Sequence, residues 1–177
     1  KGNILFELDN QPALKLYKNY LGEQADNLPA SGLLFPLAIR SDLNSDKRLV
    51  RTILSVDEAN SSLTFAGDIP EGYLAQLMKA NFERLITAAD EAGTIATSHL
   101  TAVNATEVKP VLAIAISCVG RRLLLGERSE EETESVMQSL PEGAQQVGFY
   151  SYGELSPYSE DGTCDLHNQT MTITTFN

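Results

Sequence analysis

The stretch Val111-Leu-Ala-Ile-Ala-Ile-Ser-Cys-Val119 decides how this chain of 177 residues is read. It is a continuous apolar run of strand length, the composition of a strand covered on both faces. A helix that crosses a bilayer takes about 20 apolar residues, so the run belongs to a protein core. It ends at Gly120, Arg121 and Arg122. Downstream, Ser129 and Glu132 have the spacing of a capping box, and Thr133, Val136, Met137 and Leu140 follow at helical spacing, which predicts a helix over roughly 130–140. Pro141 and Gly143 stop it. Two strands are then predicted, Gln145 to Tyr152 and Asn168 to Phe176, joined by a long loop from Glu154 to His167 that is rich in Gly, Pro, Ser and acid.

Working back toward the N-terminus, Asn81 is a plausible N-cap for a helix in which Phe82, Leu85, Ile86 and Ala89 recur at three- and four-residue spacing, reaching the 92–96 region. The small, polar stretch from Thr97 to Lys109 predicts a loop or frayed helix end, and its His99 is expected at the surface. Strands are predicted at Ile4 to Leu8, Leu33 to Ile39, Val50 to Val56, Leu63 to Ala66 and Tyr73 to Met78. In the third of these, Val50, Thr52, Leu54 and Val56 are expected to share one face, and the polar turn Asp57 to Ser62 makes it the first arm of an antiparallel meander. Asp9 or Asn10 is expected to cap a first helix that has Pro12 near its first turn, buries Leu14, Tyr17 and Leu21 and closes at Gly22. Strands that cluster in runs with helices between some of them predict an α+β fold: one mixed, largely antiparallel sheet of about seven or eight strands packed with three or four helices, in a single domain over 1–177.

Composition narrows the function. Thirteen Lys plus Arg against 24 Asp plus Glu give a net charge of −11. Binding to phosphate needs a basic surface, so nucleic acid and anionic membranes are excluded as expected partners. With 42% hydrophobic residues and only two cysteines, the chain needs no disulfide to hold its core. The first residues lack the pattern of a signal peptide, so a soluble, cytoplasmic protein is expected. The chain begins with Lys1, the expectation being a piece of something longer.

No glycine-rich phosphate loop, nucleophile elbow or zinc-protease helix occurs. Polar groups instead concentrate at strand ends. Gly148-Phe-Tyr-Ser-Tyr-Gly-Glu154 is an aromatic strand ending in an acid, and His167, Asn168 and Gln169 open the last strand. Aromatic walls with a few placed polar groups suit a small-molecule pocket, although Phe149 in the core, Tyr150 and Tyr152 half-buried in a sheet, and Asn168 and Gln169 tying down a loop would account for the same residues. Arg121 or Arg122 can hold a carboxylate at a cavity rim by two parallel hydrogen bonds, or else pair with the acid run Glu127 to Glu134. Cys164 and His167 form a C-x-x-H pair that Cys118 can join in space, a weak pattern for a metal.

These residues carry a family resemblance. The strings Leu28-Pro-Ala-Ser-Gly-Leu-Leu-Phe-Pro36, Arg51-Thr-Ile-Leu-Ser-Val56, Phe65-Ala-Gly-Asp-Ile-Pro70, Ser117-Cys-Val-Gly-Arg-Arg122, Gly148 to Glu154 and Cys164-Asp-Leu-His-Asn-Gln-Thr-Met-Thr172 resemble the C-terminal half of the FIST sensory domain. The resemblance implies a sensory input module of signalling proteins, bacterial ones among them, that binds small ligands such as amino acids. It implies as partners an N-terminal half of the same domain and a downstream signalling domain or protein, and for a subset a metal or haem cofactor linked to nitric-oxide sensing. It points to Cys118, Gly120, Arg121, Arg122, Tyr150, Tyr152, Gly153, Glu154, Asn168 and Gln169 for a ligand and to His167 and Cys164 for a metal.

The leading expectation is a sensor without catalysis. An amino acid zwitterion would place its carboxylate on Arg121 or Arg122, its ammonium near Glu154 and its side chain against Tyr150 or Tyr152. The alternatives are a metal or haem sensor using His167 with the cysteines, and an interaction module whose acidic residues Glu130, Glu131, Glu132 and Glu134 dock a basic partner.

Overall fold

The computed structural model describes residues 1–98, 100, 111–157 and 162–177. His99 and the stretch 101–110 lie outside the described residues, and so does the surface position expected for His99. The described residues form 13 strands and four α-helices, numbered β1–β13 and α1–α4 along the chain, and they group into two compact units. The expected mixture of α and β is present, but the single sheet of seven or eight strands is not. The strands divide among five sheets of two or three strands each.

The first unit comprises Lys1–Ala80 and Leu155–Asn168. Its three-stranded sheets have the orders β1-β7-β6 and β5-β4-β8, from strands Ile4–Leu5, Ser62–Phe65 and Ile53–Asp57, and Leu49–Arg51, Leu37–Arg40 and Leu74–Leu77. The expected meander is there, with β6 antiparallel to β7 across a turn in which the Asp57 carboxylate accepts the Ala59 and Asn60 N–H groups. The predicted strand Val50 to Val56, however, changes sheet at Thr52. The Thr52 N–H goes to the side chain of Asn168 and not to a neighbouring strand, so the ladder breaks there. Burial follows the break: Arg51, Thr52 and Ile53 are buried while Leu54 is exposed, which overturns the expected face.

Asp9 and Asn10 do not cap the first helix. Both take left-handed backbone angles (φ 50 and 59) as the two turn residues between β2 (Glu7–Leu8) and β3 (Gln11–Pro12), a geometry that short polar side chains tolerate. Helix α1 (Ala13–Leu21) follows directly and buries Leu14, Tyr17 and Leu21 as its spacing predicts. With Leu37, Ile39, Ile53, Leu63 and Phe65 they form the core of this unit, each large apolar side chain contributing about 1.5–3 kcal/mol of burial. Of the run predicted as a strand from Leu33, only Leu37–Arg40 is extended, because Ala30–Leu33 winds into a 3₁₀ turn. The predicted loop 154–167 contains two paired strands, β11 (Glu154–Pro157) and β12 (Cys164–His167).

The second unit comprises Asn81–Glu154 and Gln169–Asn177. Asn81 caps α2 (Phe82–Thr97) by accepting the Arg84 N–H at 3.0 Å. The opening stretch forms β9 (Leu112–Cys118), central between β10 (Gln145–Ser151), which runs parallel to it, and β13 (Met171–Phe176), which runs antiparallel. Gly120, Arg121 and Arg122 lie in a short helix, α3 (Val119–Leu125), and α4 (Ser129–Ser139) follows. Ala89 of α2, Val136 of α4 and Leu140 just past its end pack with Ala113 and Met171. Gly93 marks the crossing of α2 and α4: a Cβ there would fall 2.0 Å from Ser139 Oγ.

Candidate functional site

In the second unit two of the expected site residues, Arg121 and Tyr150, meet at Glu132. This residue does not fold back to complete a capping box; α4 has no side-chain cap. Its spacing with Val136 and Leu140 puts it on the inward face of the helix, where it is fully buried. The Arg121 Nε donates to Glu132 Oε2 at 2.9 Å, and the Ser117 and Tyr150 hydroxyls donate to Oε1 at 3.1 and 3.2 Å. The remaining Arg121 nitrogens donate to the Leu85 and Gln169 carbonyls. Arg121 is 2% exposed. Of the two readings open to it, ion pair within the acid run or arginine at a cavity rim, the structure has the ion pair.

Glu154 has a parallel position. It is 1% exposed and accepts from Ser151 Oγ at 2.7 Å and Thr170 Oγ1 at 2.9 Å. Cys118, at the end of β9, is also buried, and burial pushes its thiol pKa up against the opposing backbone N–H groups of Gln169, Gly120 and Arg121. Gln169 takes a left-handed angle (φ 55), which lets its carbonyl accept from Arg121. Tyr152 and Gly153 form the turn after β10, with Tyr152 at 83% exposure. Arg122 is exposed and its guanidinium lies 5.2 Å over the Tyr150 ring.

In the first unit, His167 and Asn168 act as fasteners. Asn168 accepts from the Thr52 N–H at 3.1 Å and donates to the Ala66 carbonyl at 3.3 Å. Arg51, the lone charge in an apolar strand, donates to the carbonyls of Asp68 and Leu166. Gly67 leaves room for this, since a Cβ would sit 3.1 Å from both Arg51 Nε and Leu166 Cδ2. The strings beginning at Arg51, Phe65 and Cys164 are thus brought together by hydrogen bonds. His167 is buried with Nε2 3.0 Å from the Ser156 carbonyl, an acceptor that assigns the ring N–H to Nε2. Cys164 lies three positions earlier on β12; strand alternation turns the two side chains to opposite faces, and Cys164 is exposed. The expected C-x-x-H pair is therefore not assembled, and among the described residues no group of three His, Cys, Asp or Glu stands ready for a metal ion.

An opening of about 460 Å³ lies elsewhere in the second unit, between α4 and the β9–β10 strands. It exists because Ala115 and Gly148 present almost no side chain beneath the helix. Gly148 is held to this by contact: a Cβ would fall 2.1 Å from the Ala115 carbonyl oxygen. Thr133, Glu134 and Met137 of α4 form one wall, and Gln146 to Tyr150 of β10 the other. Of the expected site residues, Tyr150 alone lines it. Sequence reasoning gave no role to Arg51 or Gln146; it placed Glu132 in the acid run open to the arginines, and the helical spacing of Glu132, Val136 and Leu140 was the available signal for its burial.

No curated protein and no solved structure matches the chain. The family model described as FIST C domain matches residues 13–157, a span that includes α1, the Arg51, Phe65 and Ser117 strings and the Gly148–Glu154 wall of the groove. No helix of the described residues is long and apolar enough to cross a membrane. By that match the chain belongs to the FIST C domain family, generally a sensory domain of signalling proteins.

Proposed function

We propose that this chain is the small-ligand-binding part of a sensory input domain in a signal-transduction protein and does no chemistry on its ligand. One observation carries the reading: a groove of about 460 Å³ whose wall is the family string Gly148-Phe-Tyr150. Amino acids are the ligand class proposed. An apolar side chain would lie against Ala115, Met137 and Met171, while Arg122, exposed over the Tyr150 ring, is the cation at that strand end with no buried carboxylate partner among the described residues. A binding role without catalysis is supported by Cys118, a buried thiol whose pKa is pushed up by that burial, the reverse of an activated nucleophile. An N-terminal half of the domain and a downstream output domain are the proposed partners, and the ligand would act on them through different affinity for two states.

A thermal-shift screen of amino acids tests this. A ligand at about 100 times its Kd stabilises by about 2.7 kcal/mol, which moves the melting temperature of a chain this size by roughly 5–10 °C. The shift is expected with the native chain and absent in Met137→Trp, which fills the groove. A panel that leaves the native melting temperature unchanged would refute the reading.

A further inference from the structure

The groove between α4 and β10 opens along a free sheet edge. β10 is the outermost strand of its sheet, in the order β10-β9-β13. The Gln145 N–H donates inward to the Val111 carbonyl, and alternation along the strand then turns the N–H and C=O groups of Gln146, Gly148 and Tyr150 outward. No hydrogen bond to these outward groups is found among the described residues. Natural sheets blunt such an edge with Lys, Pro, a bulge or a very short strand. β10 has none of these: it is seven residues long, carries no charge and no proline, and keeps an unbroken register with β9 from Gln145 to Ser151. Consecutive residues from Gln146 to Tyr150 line the groove, although their side chains point alternately to opposite faces, so the groove reaches round the edge of the strand.

We propose that β10 accepts an extended segment of a partner protein as an added strand. The segment's main chain pairs with Gln146, Gly148 and Tyr150, and its alternate side chains enter the groove over Gly148 against Met137. Charge selects the partner. Besides Glu131, paired with Arg128, and the buried Glu132, α4 exposes Glu130 and Glu134 one turn apart and has no Lys or Arg. Glu134 lines the groove, so the segment that fits is apolar at alternate positions and flanked by Lys or Arg. A second copy of this chain fits less well, since it brings an acidic α4 and a net charge of −11 against the same features. The added strand goes beyond the small-ligand role and does not depend on it: an amino acid needs the groove alone, whereas a strand needs the edge as well.

The test selects a displayed library of random nonapeptides on the native chain and measures the enriched peptides by fluorescence anisotropy. They are expected to alternate apolar residues between Lys or Arg flanks. In the tightest peptide, methylating the alternate set of nitrogens that faces β10 is expected to weaken binding about tenfold or more, and methylating the other set by less than about threefold. Glu134→Lys, at an exposed position, is expected to weaken it about fivefold, the scale of an exposed ion pair. Equal effects of the two methylated sets would overturn the added strand, and acidic flanks or an indifferent Glu134→Lys would overturn its basic character. If no peptide is enriched, or if the native chain sediments as a dimer that the peptides leave intact, the inference falls. An amino acid that raises the melting temperature while no peptide is enriched leaves the small-ligand role standing, and edge-paired peptides without any amino acid shift leave the strand standing alone.

Discussion

Arg121 and Glu132 show how one contact changes the meaning of a motif. Two arginines at the end of a buried strand invite a carboxylate ligand, but Arg121 already has one inside the protein, at 2.9 Å and closed off from water. Breaking such a pair strands a charge in a medium that cannot solvate it, whereas removing both charges can be nearly neutral. Arg121→Leu is therefore expected to destabilise by about 3–5 kcal/mol. The double variant Arg121→Leu with Glu132→Gln should recover much of that loss in urea unfolding. Additive losses in the cycle would show that the two side chains do not act as a pair. Arg122, one position on, is exposed over the Tyr150 ring and has no buried carboxylate partner among the described residues.

At the scale of elements, the C-terminal string ties the first unit together more than it lines a pocket. Asn168 reaches back 116 positions to the Thr52 N–H, at the point where one predicted strand becomes two. Asn168→Ala leaves that buried N–H and the Ala66 carbonyl short of a partner, an expected loss of about 1–3 kcal/mol. Amide exchange should then rise at Thr52 and along β12 before it rises in β9, and unchanged protection at Thr52 would contradict the role given to Asn168. The elements that were legible in the sequence are those whose signals are local. Asn81 caps α2 from three residues away, and β9 is marked by its own apolar run, although the expected cover on both faces is not found: Ala113, Ala115 and Ser117 are buried, Ile114 and Ile116 half-buried and Leu112 exposed. The Asp9-Asn10 pair was legible as a boundary but not as its kind. A cap and a two-residue hairpin turn use the same residue types, and the pairing of Glu7–Leu8 with Gln11–Pro12 selects the turn.

At the scale of the whole molecule, each unit buries a group that resists ionisation. Burial raises the pKa of the Tyr17 hydroxyl, which donates to the Phe35 carbonyl at 2.6 Å, and of the Cys118 thiol. Both folded values lie above the unfolded ones, so the fold favours the neutral forms. Their contribution to stability is complete below the unfolded pKa values, about 8.5 for cysteine and 10 for tyrosine, and is lost as pH rises through the folded values. The melting temperature is expected to fall progressively between about pH 8.5 and 11, with Cys118→Ala removing the earlier part of the fall and Tyr17→Phe the later. A flat profile to pH 11 would contradict both assignments.

The amino-acid sequence by itself determined what depends on neighbours in the chain or on summed composition. Those properties are the capped helix α2, the strand β9, the buried face of α1, the net charge of −11, and the strings that mark the FIST C domain. Tertiary structure decided which strands share a sheet, which arginine is spent on a buried glutamate, and that Tyr150, not Glu154 or His167, lines the groove. The physical reason is range. A cap or an apolar periodicity is fixed by side chains three or four residues apart, while a strand's partner and a charge's partner are chosen by groups brought together only after the chain has closed long loops around its cores.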